Sequence, residues 1–153
     1  MEGRQASSAR TCGPCHMCCR VFFIPEALKD NIDWCASLDR TRGCRIYETR
    51  PAACRDFLCG WRRDENLGEE WRPDIAGFVL SDPDPWAILV TCDPDNPSGW
   101  RREPYQSNIR LWARTASSQG LFVGVREGER VSLVLEDHEV PLNEPGSMPG
   151  NDV

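Results

Sequence analysis

Cysteine is the residue type whose number and spacing in this chain could support chemistry. Eight of the nine cysteines fall between Cys12 and Cys59, and four of them form the run Cys12-x₂-Cys15-x₂-Cys18-Cys19. Cysteine thiolates bind soft metal ions and iron–sulfur clusters, whereas paired cysteines form disulfides or redox couples. The function therefore depends on which of these holds the eight thiols together.

The rest of the sequence favours ligation over disulfide bonding. No apolar run approaches the roughly 20 residues that span a bilayer, and residues 1–11 lack the apolar stretch of a secretory signal. We therefore expect a cytoplasmic protein without a membrane partner, in a compartment where thiols stay reduced. An odd number of cysteines also fits poorly with a closed disulfide framework.

The first four cysteines match several known motifs, each of them incompletely. Cys12-Gly-Pro-Cys15 has the spacing of a thioredoxin-type redox pair, but a polar tail precedes it instead of a buried strand. With His16 it also matches a c-type haem attachment motif, which is used after export. Zinc sites and bacterial ferredoxins share the Cys-x₂-Cys arm, so local spacing leaves zinc and iron–sulfur clusters open.

Charge is distributed unevenly along the chain. The net charge is −6 and the pI about 5.0, which argues against a nucleic-acid partner because such proteins are usually basic. Residues 12–63 carry nine basic and six acidic side chains, whereas residues 64–153 carry seven and seventeen. Arginines in the first segment are expected to offset the charge of ionised thiols.

Composition divides the chain into four segments. Residues 1–11 and 143–153 are expected to be disordered tails. Residues 12–63 form a cysteine-rich zinc- or iron-chelating region, and residues 64–142 form a small α+β unit that begins with a polar connector at 64–74. The expected fold class is α+β, with a small metal-stapled helical region followed by a β-β-α-β-β unit in one compact domain.

Periodicity and turn residues predict the individual elements. In chain order they are helices at 25–35 and 52–61 with a turn at 40–43 between them, strands at 77–80 and 86–91, a helix at 103–118, and strands at 121–126 and 130–136. In the last strand, Val131, Leu133 and Leu135 alternate and are expected to form one buried face.

The complete cysteine pattern is more specific than its first run. Three further blocks combine cysteine with aromatic, arginine and proline residues: Cys35-x₂-Leu38-Asp39, Cys44-Arg-Ile-Tyr47 and Arg50-Pro51-x₂-Cys54-Arg55-x-Phe57-x-Cys59. The whole pattern, over residues 12–59, resembles the CxxCxxCC (YkgJ-like) family of zinc- or iron-chelating proteins. The resemblance implies metal or iron–sulfur binding. A flagellin lysine methylase has a similar domain, which keeps an enzymatic role open.

The candidate metal ligands are the eight clustered cysteines: Cys12, Cys15, Cys18, Cys19, Cys35, Cys44, Cys54 and Cys59. They suffice for two four-sulfur sites, or for one site with spare thiols. Adjacent Cys18 and Cys19 diverge, so they are expected to serve two neighbouring sites, or one ligates while the other packs. The cofactor is expected to be zinc or an iron–sulfur cluster.

Other residues near the cysteines have two readings each. Arg50 and Arg55 could donate hydrogen bonds to a bound cofactor's sulfur ligands or be surface charges. Tyr47 and Phe57 could shield the site from water or simply belong to the core. His16 is either a substitute ligand or a loop residue.

Three functions are consistent with these residues. The leading one is a metal-binding protein; the second is an iron–sulfur electron carrier or enzyme, either redox or associated with methylation. The third is an interaction module shaped by zinc, whose acidic second half contacts a basic protein partner. No catalytic residues are assigned, because the chain has neither a phosphate-binding glycine loop nor a Gly-x-Ser-x-Gly motif. Cys92, outside the cluster, is expected to be a buried free thiol.

Overall fold

A computed structural model describes residues 10–12, 15–22 and 34–143, without the side chains of Pro83 and Asp84. Residues 25–33 of the helix predicted at 25–35 and most of both predicted tails lie outside these residues. Within the described part, the chain forms a mixed α+β fold with one hydrophobic core.

The cysteine-rich region consists of short elements joined by turns. They are helix α1 (Cys18–Val21), strands β1 (Leu38–Asp39) and β2 (Gly43–Cys44), and helices α2 (Ala52–Asp56) and α3 (Gly60–Arg63). The predicted turn at 40–43 connects β1 to β2 and delivers Cys44, and Gly43 adopts the left-handed φ of +99° that this turn needs.

The single helix predicted at 52–61 is wrong, because the chain is extended between α2 and α3. Phe57 and Cys59 have ψ angles of 129° and 160°. A Cβ atom at Gly60 would lie 2.7 Å from the Cβ of Leu80, so α3 packs closely on the sheet. The spacing of apolar residues along one helix cannot predict this contact, because Leu80 lies 20 residues further along the chain.

The second unit contains a five-stranded sheet whose strands are neighbours in both sequence and space. After helix α4 (Pro73–Ala76) come β3 (Phe78–Asp84), β4 (Ala87–Cys92), helix α5 (Tyr105–Ser118), β5 (Phe122–Glu127), β6 (Arg130–Val134) and β7 (Glu139–Pro141). The β4–β5 pair is parallel and the other three pairs are antiparallel. The predicted β-β-α-β-β order is therefore present, and β7 extends it.

Helix α5 connects the two parallel strands and covers the sheet. Tyr105, Ile109, Ala113 and Ala116 are buried, at the three- and four-residue spacing of an amphipathic helix. A parallel strand pair needs such a crossover, because a tight turn can only join antiparallel neighbours.

The buried face of β6 is the opposite of the predicted one. Ser132 and Val134 are buried, whereas Val131 and Leu133 are only half-buried. Ser132 lies opposite the buried Val125 of β5, so the register with β5 decides which alternating set faces the core.

Aromatic side chains form the centre of the core. Trp71 and Phe78 each pack edge-on against Tyr105, with ring centroids 5.0 and 5.1 Å apart, and Trp100 is fully buried. The connector at 64–74 therefore contributes Trp71 to the core, although most of its residues are polar.

The cysteine-rich region belongs to the same core. Met17 and Val21 are buried in it together with residues of the sheet. Three ion pairs cross between the regions: Arg20 contacts Asp93 at 3.8 Å and Asp95 at 3.2 Å, and Arg63 contacts Asp82. No helix in the described part of the chain is long and apolar enough to cross a membrane.

Candidate metal centre

The eight clustered cysteines all line one cavity of about 600 Å³, beside β3 and α4. They are Cys12, Cys15, Cys18, Cys19, Cys35, Cys44, Cys54 and Cys59, and all are free thiols. The sequence predicted these eight residues as one constellation, and the fold brings them to one place from positions spread over the first third of the chain.

The ninth cysteine lies elsewhere. Cys92 is 2% exposed and pairs with Phe78 in the sheet. Burial, followed by the nearby charge of Glu127, raises the pKa of Cys92 to about 12. It is the buried free thiol that the sequence predicted.

The remaining lining residues define the chemistry of the cavity. Among the described residues that line it, none is Asp or Glu, and the donors besides sulfur are His16 and hydroxyl groups. Three guanidinium groups, those of Arg42, Arg50 and Arg62, also line it. Hard cations such as Mg²⁺ and Ca²⁺ need oxygen ligands, so this donor set suits zinc or an iron–sulfur cluster.

Among the first four cysteines, a backbone hydrogen bond joins Cys12 to Cys15, and helix α1 contains Cys18 and Cys19. The Cys15 N–H donates to the Cys12 carbonyl at 2.9 Å. Cys18 and Cys19 are the first two residues of α1. Consecutive helical side chains leave the axis about 100° apart, so these two thiols point in different directions.

The next two cysteines are tied to α1 and to each other through the backbone. The Cys35 N–H donates to the Cys19 carbonyl at 2.9 Å, and the Leu38 N–H donates to the Cys35 carbonyl at 3.0 Å. Leu38 in turn lies opposite Cys44 in the β1–β2 pair. The hairpin therefore carries Cys44 back toward the segment that holds Cys35.

The last two cysteines are positioned by the break between α2 and α3. Cys54 lies within α2, whereas Cys59 immediately precedes α3 and is 9% exposed. The Cys59 carbonyl accepts a hydrogen bond from the Arg63 N–H at 3.1 Å, which joins this cysteine to α3.

Two of the sulfurs are fixed by backbone donors. Burial raises the pKa of Cys15 to about 11, against hydrogen bonds that the N–H groups of Met17 and Asp74 donate to its sulfur. Burial also raises the pKa of Cys59, against an N–H donor from Arg62. Ligating thiols must be deprotonated, so a metal ion would displace their protons.

The cysteines gather around the cavity without forming a closed coordination shell. Within residues 10–12, 15–22 and 34–143, no three His, Cys, Asp or Glu side chains are arranged so that they could hold a metal ion as they stand.

The two predicted cofactor-binding arginines have different positions. Arg50 lines the cavity, where its charge opposes the raised pKa of Cys54, but its guanidinium donates to the Tyr47 carbonyl at 3.1 Å and stacks on the Tyr47 ring. Arg55 is not among the lining residues; it is 60% exposed and pairs with Asp56 at 3.7 Å. Of the two, only Arg50 lies beside the cysteines, and the cofactor role of both arginines stays a prediction.

The aromatic shell is partly the predicted one. Phe57 lines the cavity and packs edge-on against Phe22 at 4.8 Å, and Tyr47 lines it while remaining 58% exposed. Phe22 and Arg62 also line the cavity, and the sequence did not predict either of them. Their distance from the cysteine motifs is short, but nothing in the local pattern shows which way they face.

Comparison with known proteins adds no identification. No family model, no curated protein and no solved structure matches the chain. The resemblance to the CxxCxxCC family therefore remains a prediction from the cysteine pattern.

Proposed function

We propose that this protein binds a thiophilic metal, as zinc or as an iron–sulfur cluster, through the cysteines of the cavity. One observation carries this proposal: every cysteine between Cys12 and Cys59 lines the same cavity, whereas Cys92, buried in the sheet, does not line it. Thiols distributed at random over the fold would not divide in this way.

The electrostatics of the cavity support the proposal. Eight thiolates that hold two divalent ions keep a formal excess of four negative charges, and the three lining arginines would offset most of it. Carboxylates, which would add to that excess, are missing from the described lining. The arginine-rich composition of residues 12–63 thus has a place in the site.

The chain's own residues would have distinct roles toward the metal. The cysteines would supply the ligands, Arg50 would place a positive charge beside Cys54, and Phe22 and Phe57 would limit access of water. Bound zinc would staple short elements that bury little surface, and a bound cluster would supply electron transfer.

Metal analysis of anaerobically purified protein, together with its absorption spectrum, tests the proposal. We expect zinc without colour, or iron and sulfide with broad visible absorption. The Cys44→Ser variant should lose metal, and Cys92→Ala, which changes a cysteine outside the cavity, should keep it. A wild-type protein that contains neither metal and takes up neither on anaerobic reconstitution would contradict the proposal.

A further inference from the structure

We infer that residues 36–56 fold onto the rest of the protein only when metal is bound, whereas helices α1 and α3, which also border the cavity, are folded without it. We call residues 36–56 the outer segment. The inference rests on the proposed metal binding and identifies the part of the chain whose structure depends on it.

The segments around α1 and α3 are attached to the fold by packing and hydrogen bonds. Met17 and Val21 of the first, and Cys59 and Trp61 of the second, are buried in the hydrophobic core together with the sheet. The two segments are also joined to each other, because the Arg10 guanidinium donates to the Trp61 carbonyl at 2.6 Å. None of these contacts needs a metal ion.

The outer segment adds no side chain to that core. Leu38 is its one buried residue, and it does not belong to the hydrophobic core. Strands β1 and β2 have two residues each, and helix α2 has no buried residue. Because ordering every residue costs conformational entropy, a segment that buries so little apolar surface needs another source of stability.

The hydrogen bonds of the outer segment are internal to it and Cys35. The Asp39 carboxylate, for example, accepts the N–H of Thr41 at 2.9 Å. Within the part of the chain that the structure describes, no hydrogen bond or ion pair joins residues 36–56 to a residue before 35 or after 56. The Arg40 guanidinium lies 4.6 Å from the centre of the Trp34 ring, but Arg40 is exposed, where such contacts are weak.

The outer segment is held at its two ends. Just before it, the Cys35 N–H donates to the Cys19 carbonyl at 2.9 Å. Just after it, Phe57 packs edge-on against Phe22 at 4.8 Å. Between these two points the segment can therefore leave the fold without breaking a core contact.

Thiol ligation would supply the missing attachment. Cys44 and Cys54 line the cavity from the outer segment, and Cys15 and Cys59 line it from the segments that belong to the core or pack against it. A metal ion or cluster with ligands from both joins the outer segment to the core. The free energy of metal binding then becomes folding free energy for this segment.

Amide hydrogen exchange of the full chain, freed of metal under reducing and anaerobic conditions, tests the inference. In the metal-free chain, amides of the outer segment should exchange almost as fast as in an unfolded peptide, whereas those of α1 and α3 should be protected. Zinc at about 100 times its dissociation constant should slow exchange in the outer segment about 100-fold. Equal protection of the outer segment and α3 in the metal-free chain would overturn the inference.

Trypsin provides a second measurement at known positions. The outer segment has four exposed arginines that are not followed by proline, namely Arg40, Arg42, Arg45 and Arg55. Cleavage after them should be fast in the metal-free chain and slow with zinc, while Arg62 and Arg63 of α3 should resist cleavage in both states.

Two variants and a metal analysis separate the possible failures. Cys44→Ser should lose the protection that zinc gives, and Cys92→Ala, which changes a cysteine outside the cavity, should keep it. Zinc uptake by the wild-type chain without slower exchange or cleavage would overturn the inference and leave the proposed function intact. A wild-type chain that takes up neither zinc nor iron would refute the proposed function itself.

Discussion

Replacing Arg10 by alanine should destabilise the protein although Arg10 lies in the predicted disordered tail. The Arg10 guanidinium donates to the carbonyl oxygens of Trp61, Asp64, Glu65 and Leu67, at 2.6, 3.2, 3.1 and 2.6 Å respectively. It also lies 4.8 Å from the centre of the Trp61 ring. The side chain therefore closes the loop that follows α3 and fixes the chain just before Cys12.

The magnitude follows from which contacts are shielded from water. The bonds to Trp61 and Leu67 are partly buried, and the other two are exposed. Counting about 1 kcal/mol for each shielded bond and about 0.5–1 kcal/mol for the ring contact gives a loss of roughly 2–3 kcal/mol. In a chain of this size, that loss corresponds to a melting temperature about 5–10 °C lower.

Denaturant and thermal unfolding should be measured with the metal content matched, because bound metal also stabilises the folded state. Arg55→Ala is the matched control, since Arg55 is exposed and makes one 3.7 Å ion pair, and it should change stability by less than about 0.5 kcal/mol. Arg10→Lys should lie close to Arg10→Ala, because an ammonium cannot reach four carbonyls at once. If Arg10→Ala unfolds with the wild-type midpoint, the carbonyl cage contributes nothing and the reasoning fails.

Three further predictions concern the rest of the fold. Cys92→Ala should lower the unfolding midpoint by opening a core cavity, yet leave the metal content per chain unchanged; a loss of metal would place Cys92 in the site. Burial raises the pKa of Glu139, but its hydrogen bonds with Arg110 and Arg101 outweigh burial and hold that pKa below its usual value. The stability that ionised Glu139 contributes is therefore present above the pKa of a carboxyl group in the unfolded chain, and it is lost as the pH falls through the folded-state pKa. Glu139→Gln should therefore flatten the acid side of a plot of unfolding free energy against pH. An unchanged acid side would contradict this. Gly77 has a φ of +81°, so Gly77→Ala should cost about 1–2 kcal/mol in equilibrium unfolding, and a neutral result would show that the loop relaxes.

The sequence grouped the eight cysteines that line the cavity, because cysteine is a thiophilic ligand wherever it occurs and its spacing is visible in the chain. Their role as metal ligands stays a prediction. The spacing could not show which sulfurs are neighbours. Cys59 lies near Cys12 only because the fold returns α3 to the start of the chain, and that return depends on contacts such as those of Arg10.

The fold was predictable where local pattern and tertiary packing agree. The amphipathic period of α5 and the turn at 40–43 were read correctly from residue type. Alternation in β6 was also real, but its buried face depends on pairing with Val125, and a register shift of one residue exchanges the two faces. The helix break likewise comes just before Gly60, where the backbone lies too close to Leu80 for a larger residue, and a helical period does not register that approach.

The uneven charge of the chain has a partial explanation within the fold. The basic excess of residues 12–63 serves two purposes: Arg42, Arg50 and Arg62 line the thiol cavity, whereas Arg20 and Arg63 pair with aspartates of the acidic unit. The negative charge of the second unit could attract a basic partner. Part of that charge is instead paired with Arg20 and Arg63, and these pairs help to hold the cysteine-rich region against the sheet. Because such exposed pairs are screened by salt, raising the ionic strength would weaken this internal contact before it affected the thiol ligands.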